Sequence, residues 1–213
     1  MVSLIITTYN YAHYVERAIR SALDQSLPRH QYEIIVVNDA STDHTEEILA
    51  NFADEVRVFN LEKNVGLAGA RNFGIKRAKG QFIAFLDADD YMHRDLLSVQ
   101  KLFLDENNKL DAVSTDYFLV DERGSHLKHV NAEQEPIACG IMFRKDFLFN
   151  IGLYDEKFRA REEEDLRIRW LNDYSIYNII LPLYRYRMHD RNLTKDEKAM
   201  EFGAQMLNKK HDK

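Results

Sequence analysis

Short apolar, β-branched runs alternate with stretches of helical periodicity over the first ninety residues of the chain. Four of these runs are bounded by polar or turn residues and are predicted as buried strands, at 3–7, 32–37, 56–60 and 81–86. Between them, apolar side chains from Val15 to Leu23 and from Thr45 to Phe52 recur with the spacing of one helical face. Alternation of strands and helices is typical of an open parallel sheet covered by helices.

After Asp95 the pattern is less regular. Helices are predicted from Leu96 through Phe103 and over 162–172 and 195–208, and strands over 112–120, 137–143 and 175–181. The sequence contains no internal repeat, low-complexity tract or linker. The prediction is one α/β domain over 1–213, Rossmann-like, with a mostly parallel central sheet, helices on both faces and the C-terminal half wrapped on the same sheet.

Composition excludes several classes of protein. A hydrophobic fraction of 45% is too high for a disordered chain, and a net charge of −6 disfavours a nucleic-acid partner. The single cysteine, Cys139, excludes an internal disulfide framework and a cysteine-rich zinc module. The chain has neither a signal-peptide pattern nor about 18 consecutive apolar residues. We therefore expect a cytoplasmic protein, and the basic residues within 209–213 leave a peripheral contact with anionic lipid open.

Polar clusters follow three predicted strands, at the ends where open α/β sheets bind their ligands. These clusters lie at 7–10, at 38–43 and at Asp87-Ala88-Asp89-Asp90. Helix capping explains the end of the second cluster, but three carboxylates within four residues repel one another and call for a cation. Two carboxylates spaced i, i+2 suit Mg²⁺ or Mn²⁺ that is also held by water and by substrate phosphates. A phosphorylated substrate is therefore implied.

Two groups of basic residues could oppose such phosphates. Arg71 follows a predicted loop at 64–70, and a late segment carries Arg185, Arg187, His189 and Arg191. A surface helix position is an equal alternative for Arg71, and a structural histidine is the default for His189.

An acidic run, 162–165, begins the predicted helix that contains Trp170. The helix dipole favours acids in a first turn, which accounts for two of the four. A carboxylate beside a phosphate site is also suited to act as a general base toward an acceptor hydroxyl.

Four segments in this order resemble family 2 glycosyltransferases of the GT-A fold: 3–10, 33–43, 64–72 and 85–90. The resemblance continues more loosely through 152–158, the acidic run and 186–189. It implies an inverting, metal-dependent, hexosyltransferase-like enzyme that moves a sugar from a nucleoside-diphosphate sugar, with UDP the favoured nucleotide. The resemblance also implies a carbohydrate or lipid-linked acceptor and a role in cell-surface polysaccharide or glycolipid synthesis. It implies two halves of the domain, one that binds the nucleotide sugar at 1–95 and one that binds the acceptor at 96–213.

The resemblance also implies roles for individual residues. Thr7, Tyr9 and Asp39 would hold the base and ribose, with Arg71 nearby, and Asp87 would contact the ribose and the metal region. Asp89, together with His189, would ligate Mn²⁺ or Mg²⁺, and the metal would stabilise the departing nucleoside diphosphate.

The sequence departs from the family at the catalytic base. The family pattern is Glu-Asp-x-Asp-Leu followed by Arg, whereas this chain has Glu162-Glu163-Glu164-Asp165-Leu166 with Arg169 downstream. In that register Glu163 replaces the catalytic Asp, and a Glu has a similar pKa and a reach longer by one methylene. A one-residue shift would bring Glu164 or Asp165 to the acceptor instead. We favour Glu163, with Asp165 second.

Two alternatives belong to other classes. An apolar strand ending in Asp87-Ala88-Asp89 also looks like the signature of an aspartate-dependent phosphatase of the haloacid dehalogenase type, although Asp90 and Tyr91 follow it and three strands precede it. The altered base motif is compatible with a catalytically inactive sugar-nucleotide-binding protein.

Overall fold

A nine-stranded sheet runs through the computed structural model, which describes residues 1–190 and 192–211. The strands are β1 (Val2–Thr8), β2 (Tyr32–Asn38), β3 (Arg57–Asn60), β4 (Phe82–Asp87), β5 (Tyr91–Met92), β6 (Ala112–Val120), β7 (His126–Val130), β8 (Ile141–Arg144) and β9 (Ile176–Arg187). The helices are α1 (Ala12–Leu23), α2 (Thr45–Ala50), α3 (Gly66–Arg77), α4 (Leu96–Glu106), α5 (Lys145–Asn150), α6 (Glu162–Asp173) and α7 (Glu197–His211).

The first half of the sheet is parallel, as the sequence predicts. Its strand order is β3-β2-β1-β4, and Val2 of β1 pairs with both Tyr32 of β2 and Phe82 of β4. All seven residues of β1 are buried, as expected for a strand covered on both faces. β2 and β3 are added in turn on one side of β1, whereas β4 is added on the opposite side of β1. Since crossovers between parallel strands are right-handed, α3 lies on the face opposite α1 and α2.

The second half joins the same sheet but mixes strand directions. Beyond β4 the order is β8-β6-β9-β5, with β7 paired to β6. β6 and β9 are parallel to each other, whereas β8 is antiparallel to β4 and to β6, and β5 and β7 are antiparallel to their partners. The predicted parallel arrangement therefore holds for the first four strands and gives way to a mixed sheet after them.

Several element boundaries differ from the prediction. The segment 64–70 is not a loop, because α3 begins at Gly66; its side chains are buried on most sides, so no one-sided apolar stripe marks it. The strand predicted from 137 begins only at Ile141, since Gly140 has a φ of 75° and the preceding residues form a cavity wall. β9 continues past the predicted end at 181, across a register shift, to Arg187. The short elements β5, β7 and α5 are not predicted.

Within residues 1–190 and 192–211, no helix combines the length and the apolar character that crossing a bilayer requires.

We expect Gly74→Ala to destabilise the fold by about 1–3 kcal/mol, the usual cost of overpacking. A Cβ at Gly74 would lie 2.6 Å from Cγ2 of Ile5, in the middle of the buried strand β1. Urea denaturation measures the loss. Lys76→Ala, at an exposed position of the same helix, is the control and should leave the free energy of unfolding nearly unchanged. Equal stabilities for Gly74→Ala and the parent would contradict the close approach of α3 to β1.

Candidate active site

A cavity of about 750 Å³ opens at the carboxyl ends of β1, β2 and β4. This volume lies within the range of small-molecule binding sites. β2 and β4 lie on opposite sides of β1, and connections that diverge in this way create a crevice outside the strand ends. The cavity wall brings together most of the site residues predicted from the sequence: Thr7, Tyr9, Asp39, Arg71, Asp87, Asp89 and Glu163.

The loops that follow β1 and β2 are joined by reciprocal hydrogen bonds. Asn10 is held in the left-handed region, with a φ of 56°, and its Oδ1 accepts a hydrogen bond from the Thr42 amide at 2.7 Å. In return, the Asn10 amide donates to Ser41 Oγ at 2.9 Å. Asp43 accepts from the Thr45 amide at 3.0 Å, at the start of α2, which is the helix-start role expected of this segment. These contacts hold the cavity wall beside Tyr9 in place.

Asp39 is a buried carboxylate at the end of β2, and it serves the beginning of α3. Its two oxygens accept hydrogen bonds from the amides of Val65 and Gly66, at 2.7 and 2.9 Å. Burial raises the pKa of Asp39, and these hydrogen bonds and the nearby Arg159 charge oppose the rise. Asp39 therefore satisfies backbone donors of the helix start from its place in the cavity wall. A substitution at this position would disturb α3 as well as any ligand contact.

Arg71 is a fully buried arginine that joins β4 to α6. Its Nη2 donates to Asp87 Oδ1 at 2.9 Å, and its Nη1 donates to Glu162 Oε1 at 2.8 Å. The guanidinium also lies 5.4 Å from the ring centre of Tyr154, and Nη2 lies 4.0 Å from Sγ of Cys139. Of the two alternatives drawn from the sequence, the surface helix position is wrong. The guanidinium lines the cavity and is already held by two carboxylates.

Glu162 shares this buried network. Its Oε2, like Nε of Arg71, has no hydrogen-bond partner among residues 1–190 and 192–211. Burial raises the pKa of Glu162 to about 7, although the Arg71 charge acts in the opposite direction. One buried arginine therefore faces two carboxylates, and protonation of Glu162 would balance their charges.

The three acids after β4 take separate partners. Asp87 binds Arg71, and Oδ2 of Asp89 lies 2.8 Å from Nε2 of His189. Asp90 is turned into the core, where its Oδ2 accepts from the Tyr184 hydroxyl at 2.7 Å and its Oδ1 from the Arg187 amide at 2.8 Å. Burial and the charges of Asp89 and Asp87 raise the pKa of Asp90 well above its usual range. The expectation that this cluster needs a cation to relieve its repulsion is therefore wrong for Asp90, which has a structural role.

The late basic segment is mostly engaged in structural contacts. Arg187 donates from Nε to the Asp89 carbonyl at 2.7 Å and from Nη1 to the Glu122 carbonyl at 2.6 Å. Arg185 donates to the Pro182 carbonyl. Neither arginine lines the cavity, so the prediction that they oppose substrate phosphates is not supported, and Arg191 lies outside the described residues.

His189 is the member of that segment that reaches the acidic cluster. It is buried, its ring stacks on Tyr14 at 4.8 Å between centres, and its amide donates to Asn192 Oδ1 at 2.6 Å. No group of three or more His, Cys, Asp or Glu side chains in the described part of the chain is arranged to hold a metal ion. The His189 side chain is fully buried and, unlike Asp89, is not part of the cavity wall. The pair offers one carboxylate and one imidazole, which are ligand types of divalent cations that also bind water and phosphates.

The acidic run begins α6 and divides between two environments. Arg161, with a φ of 62°, precedes the helix and turns the chain, and its Nη1 pairs with Glu164 at 2.8 Å. Glu162, Glu163 and Glu164 line the cavity. Burial raises the pKa of Glu163, which is the change expected of a carboxylate that is to accept a proton near neutral pH.

Asp165 lies away from the cavity. Its side chain is fully buried, its Oδ2 accepts from Nη2 of Arg169 at 2.7 Å, and its Oδ1 lies 2.7 Å from Nζ of Lys210 and 2.8 Å from Nε2 of His211. These bonds lower the pKa of Asp165 although burial opposes them. The structure therefore separates the two candidate bases: Glu163 faces the cavity, and Asp165 joins α6 to α7.

Sequence reasoning did not identify some of the cavity residues. Cys139 is buried, and it lies in the cavity wall beside Arg71. Arg159, which precedes α6, lines the cavity as well. No periodicity marks either position, and only the folded chain shows that 137–139 and 159–164 meet the strand ends.

The chain is similar to known proteins in both sequence and structure. The family model described as glycosyl transferase family 2 matches residues 3–170. An uncharacterized glycosyltransferase of Rickettsia conorii is 32% identical over 200 residues, which are 88% of this chain and 33% of that protein. The putative teichuronic acid biosynthesis glycosyltransferase TuaG of Bacillus subtilis is 38% identical over 138 residues, which are 63% of this chain and 54% of TuaG. The chain thus spans about a third to a half of these relatives.

Solved structures show the same fold. TarS 1-349 of Staphylococcus aureus in complex with UDP-GlcNAc superposes with a TM-score of 0.79 at 23% identity, over 97% of this chain and 66% of that one. The mannosyltransferase PcManGT of Pyrobaculum calidifontis, in complex with GDP-Man and Mn²⁺, gives a TM-score of 0.72 at 20% identity, over 90% of this chain and 58% of that one. These likenesses confirm the GT-A fold predicted from the sequence. They do not support the phosphatase or the inactive binding protein, and the chain belongs to glycosyl transferase family 2.

Proposed function

We propose that the chain catalyses an inverting transfer of a sugar from a UDP-sugar to a hydroxyl of a carbohydrate or lipid-linked acceptor in cell-surface polysaccharide synthesis. The observation that carries this proposal is that one cavity at the carboxyl ends of parallel strands is lined by both Asp89, whose carboxylate contacts the buried His189, and Glu163. The names of two relatives support the pathway: TuaG is named for teichuronic acid biosynthesis, and TarS is named as a poly(ribitol-phosphate) beta-N-acetylglucosaminyltransferase.

The sugar donor occupies the side of the cavity formed by residues 1–95. Thr7, Tyr9 and Asp39 hold the base and ribose, and Tyr9 is 44% exposed, so its ring is accessible to a ligand. Asp87 contacts the ribose. Arg71 acts on the donor through Asp87, because its guanidinium binds that carboxylate and is itself buried.

A divalent cation is held by Asp89 and His189. The cavity wall supports this assignment because, in the part of the chain that the structure describes, its carboxylates, at positions 39, 87, 89, 90 and 162–164, outnumber its arginines, at 71, 159 and 161. A diphosphate would be repelled by such a wall without an added positive charge. When bound, Mn²⁺ or Mg²⁺ neutralises the charge that develops on the departing diphosphate.

Glu163 is the general base of the proposed reaction. It accepts the proton of the acceptor hydroxyl while the hydroxyl oxygen attacks the anomeric carbon and the bond to the diphosphate breaks. One displacement inverts the configuration and needs no covalent enzyme intermediate. The acceptor occupies the side formed by residues 96–213, and a lipid-linked acceptor would bring this side to a membrane surface.

A screen of sugar nucleotides tests the proposed function directly. We expect release of UDP from one or a few UDP-sugars in the presence of a suitable acceptor, dependent on Mn²⁺ or Mg²⁺ and abolished by EDTA. Release of nucleoside diphosphate is measured with and without metal over panels of UDP- and GDP-sugars. Activity with a GDP-sugar alone would contradict the choice of nucleotide, and full activity in EDTA would contradict the role of the metal.

Metal binding can be measured separately from turnover. Asp89→Ala and His189→Ala should each weaken Mn²⁺ binding in the presence of UDP by about tenfold or more, because each removes one of the two protein ligands. Electron paramagnetic resonance of free Mn²⁺ gives the affinity, and Asp89→Ala should also lower turnover by about 10²–10³. Asp190→Ala, an exposed carboxylate next to His189, is the matched control. Unchanged Mn²⁺ affinity in His189→Ala would remove His189 from the site.

Amide substitutions test the base. Glu163→Gln keeps the shape of the side chain but removes its ability to take a proton, so kcat should fall by about 10²–10⁴ while UDP affinity changes little. Asp165→Asn is the control: it should lower the thermal unfolding midpoint, because it weakens the bonds to Arg169, Lys210 and His211, and should leave kcat of the folded protein largely intact. Loss of turnover in a folded Asp165→Asn together with an active Glu163→Gln would assign the base to Asp165.

A further inference from the structure

Among residues 1–190 and 192–211, three arginines line the cavity, and two of them already bind carboxylates. Arg71 is bound by Asp87 and Glu162. Arg161 pairs with Glu164 at 2.8 Å and donates from Nε to the Met200 carbonyl at 3.1 Å. The guanidinium of Arg159 is an exposed group, and no hydrogen bond or ion pair holds it within residues 1–190 and 192–211. Among the described cavity arginines, Arg159 is therefore the one whose hydrogen-bond donors are available to a ligand.

Arg159 lies at the β2 side of the cavity. Its Nη1 occupies the space into which a Cβ at position 66 would project, so the guanidinium rests against the backbone at the start of α3. Gly66 has a φ of 82°, a backbone conformation that would be strained in a residue with a side chain. The absence of a Cβ at this glycine also leaves room for the Arg159 guanidinium. The same helix start is held by Asp39, whose carboxylate the charge of Arg159 influences. The arginine thus adjoins the end of β2, not the acids that follow β4.

The two sides of the cavity are separated by one strand. β2 and β4 both pair with β1, so their carboxyl ends lie about 10 Å apart at the usual spacing of strands. That distance is comparable with the distance between the base of a nucleotide and its diphosphate. Asp89 and His189, at the β4 side, suit the metal and the diphosphate. A ligand that spans the cavity then presents its nucleoside to the β2 side, next to Arg159.

We propose that Arg159 is a nucleoside-binding residue, whose planar guanidinium packs on the face of the uracil base. An arginine suits this contact, because its planar, delocalised cation stacks on aromatic rings. This inference rests on the proposed UDP-sugar activity and deepens it. It adds a residue from the loop before α6 to a site otherwise built from the strand ends, so that the segment leading into the helix that carries Glu163 also contacts the nucleotide.

The test compares ligands with and without phosphates. Dissociation constants of UDP and uridine are measured by calorimetry and ligand-observed NMR for the parent, Arg159→Gln and Arg159→Lys. We expect Arg159→Gln to weaken UDP and uridine by the same factor, about tenfold. Arg159→Lys should recover little of the loss, since an ammonium group has no planar face. Lys157→Gln is the matched control, because it removes a positive charge from the same loop at an exposed position outside the cavity wall, and it should bind both ligands as the parent does.

Each of the other possible binding results would contradict a specific part of this proposal. A loss confined to UDP would place Arg159 on the phosphates and overturn its assignment to the nucleoside. Normal binding of both ligands by Arg159→Gln, with UDP bound by the parent, would remove Arg159 from the site and leave the proposed function standing. A parent protein that binds neither UDP nor uridine would overturn the proposed nucleotide, and the inference with it.

Discussion

The buried bridge from Asp87 through Arg71 to Glu162 is the interaction on which the site depends. It connects the end of β4 to the first residue of α6, so the strand that leads into the acidic cluster and the helix that carries Glu163 are held by one guanidinium. Removing one partner of such a buried pair leaves an uncompensated charge and costs about 3–5 kcal/mol. Burial of Glu162 raises its pKa to about 7, and the charge of Arg71 opposes this rise. The end of β4 and the start of α6 are therefore held relative to each other by contacts within the protein.

The acidic run shows how four adjacent carboxylates acquire different roles from the rotation of a helix. Glu162 turns toward Arg71, Glu163 faces the cavity and Glu164 pairs with Arg161. Asp165, one residue further, is surrounded by cations from α6 and α7. Because opposite charges lower a carboxylate pKa and burial without a sufficient partner raises it, the pKa of Asp165 falls while those of Glu162 and Glu163 rise. The helix thus supplies an anchor and a candidate base from the same short run.

The C-terminal half completes a site whose frame is in the N-terminal half. β9 extends along β6 as far as Arg187, and its backbone amide there binds Asp90, while His189, just beyond the strand, reaches Asp89. Within Asp87-Ala88-Asp89-Asp90, the first and last acids have structural roles. Asp87 binds Arg71 of α3, and Asp90 binds Tyr184 of β9. Asp89 is the acid of this cluster that pairs with a histidine. Hence the metal-binding capacity assigned to the cluster depends on where the last strand ends.

The sequence by itself determined the parallel half of the sheet, the carboxyl ends at which the polar clusters gather and the family, because period, strand length and motif spacing are local properties of the chain. It did not reveal α3, since a helix buried on most sides lacks an apolar stripe, nor the mixed second half, where pairing joins residues far apart in sequence. Tertiary structure alone decided that three of the four adjacent acids line the cavity while Asp165 is bound by α7, and that Arg71 binds carboxylates. These outcomes depend on long-range contacts and on burial. Both determine the pKa values and charge states of side chains, but neither produces a periodic pattern in the sequence.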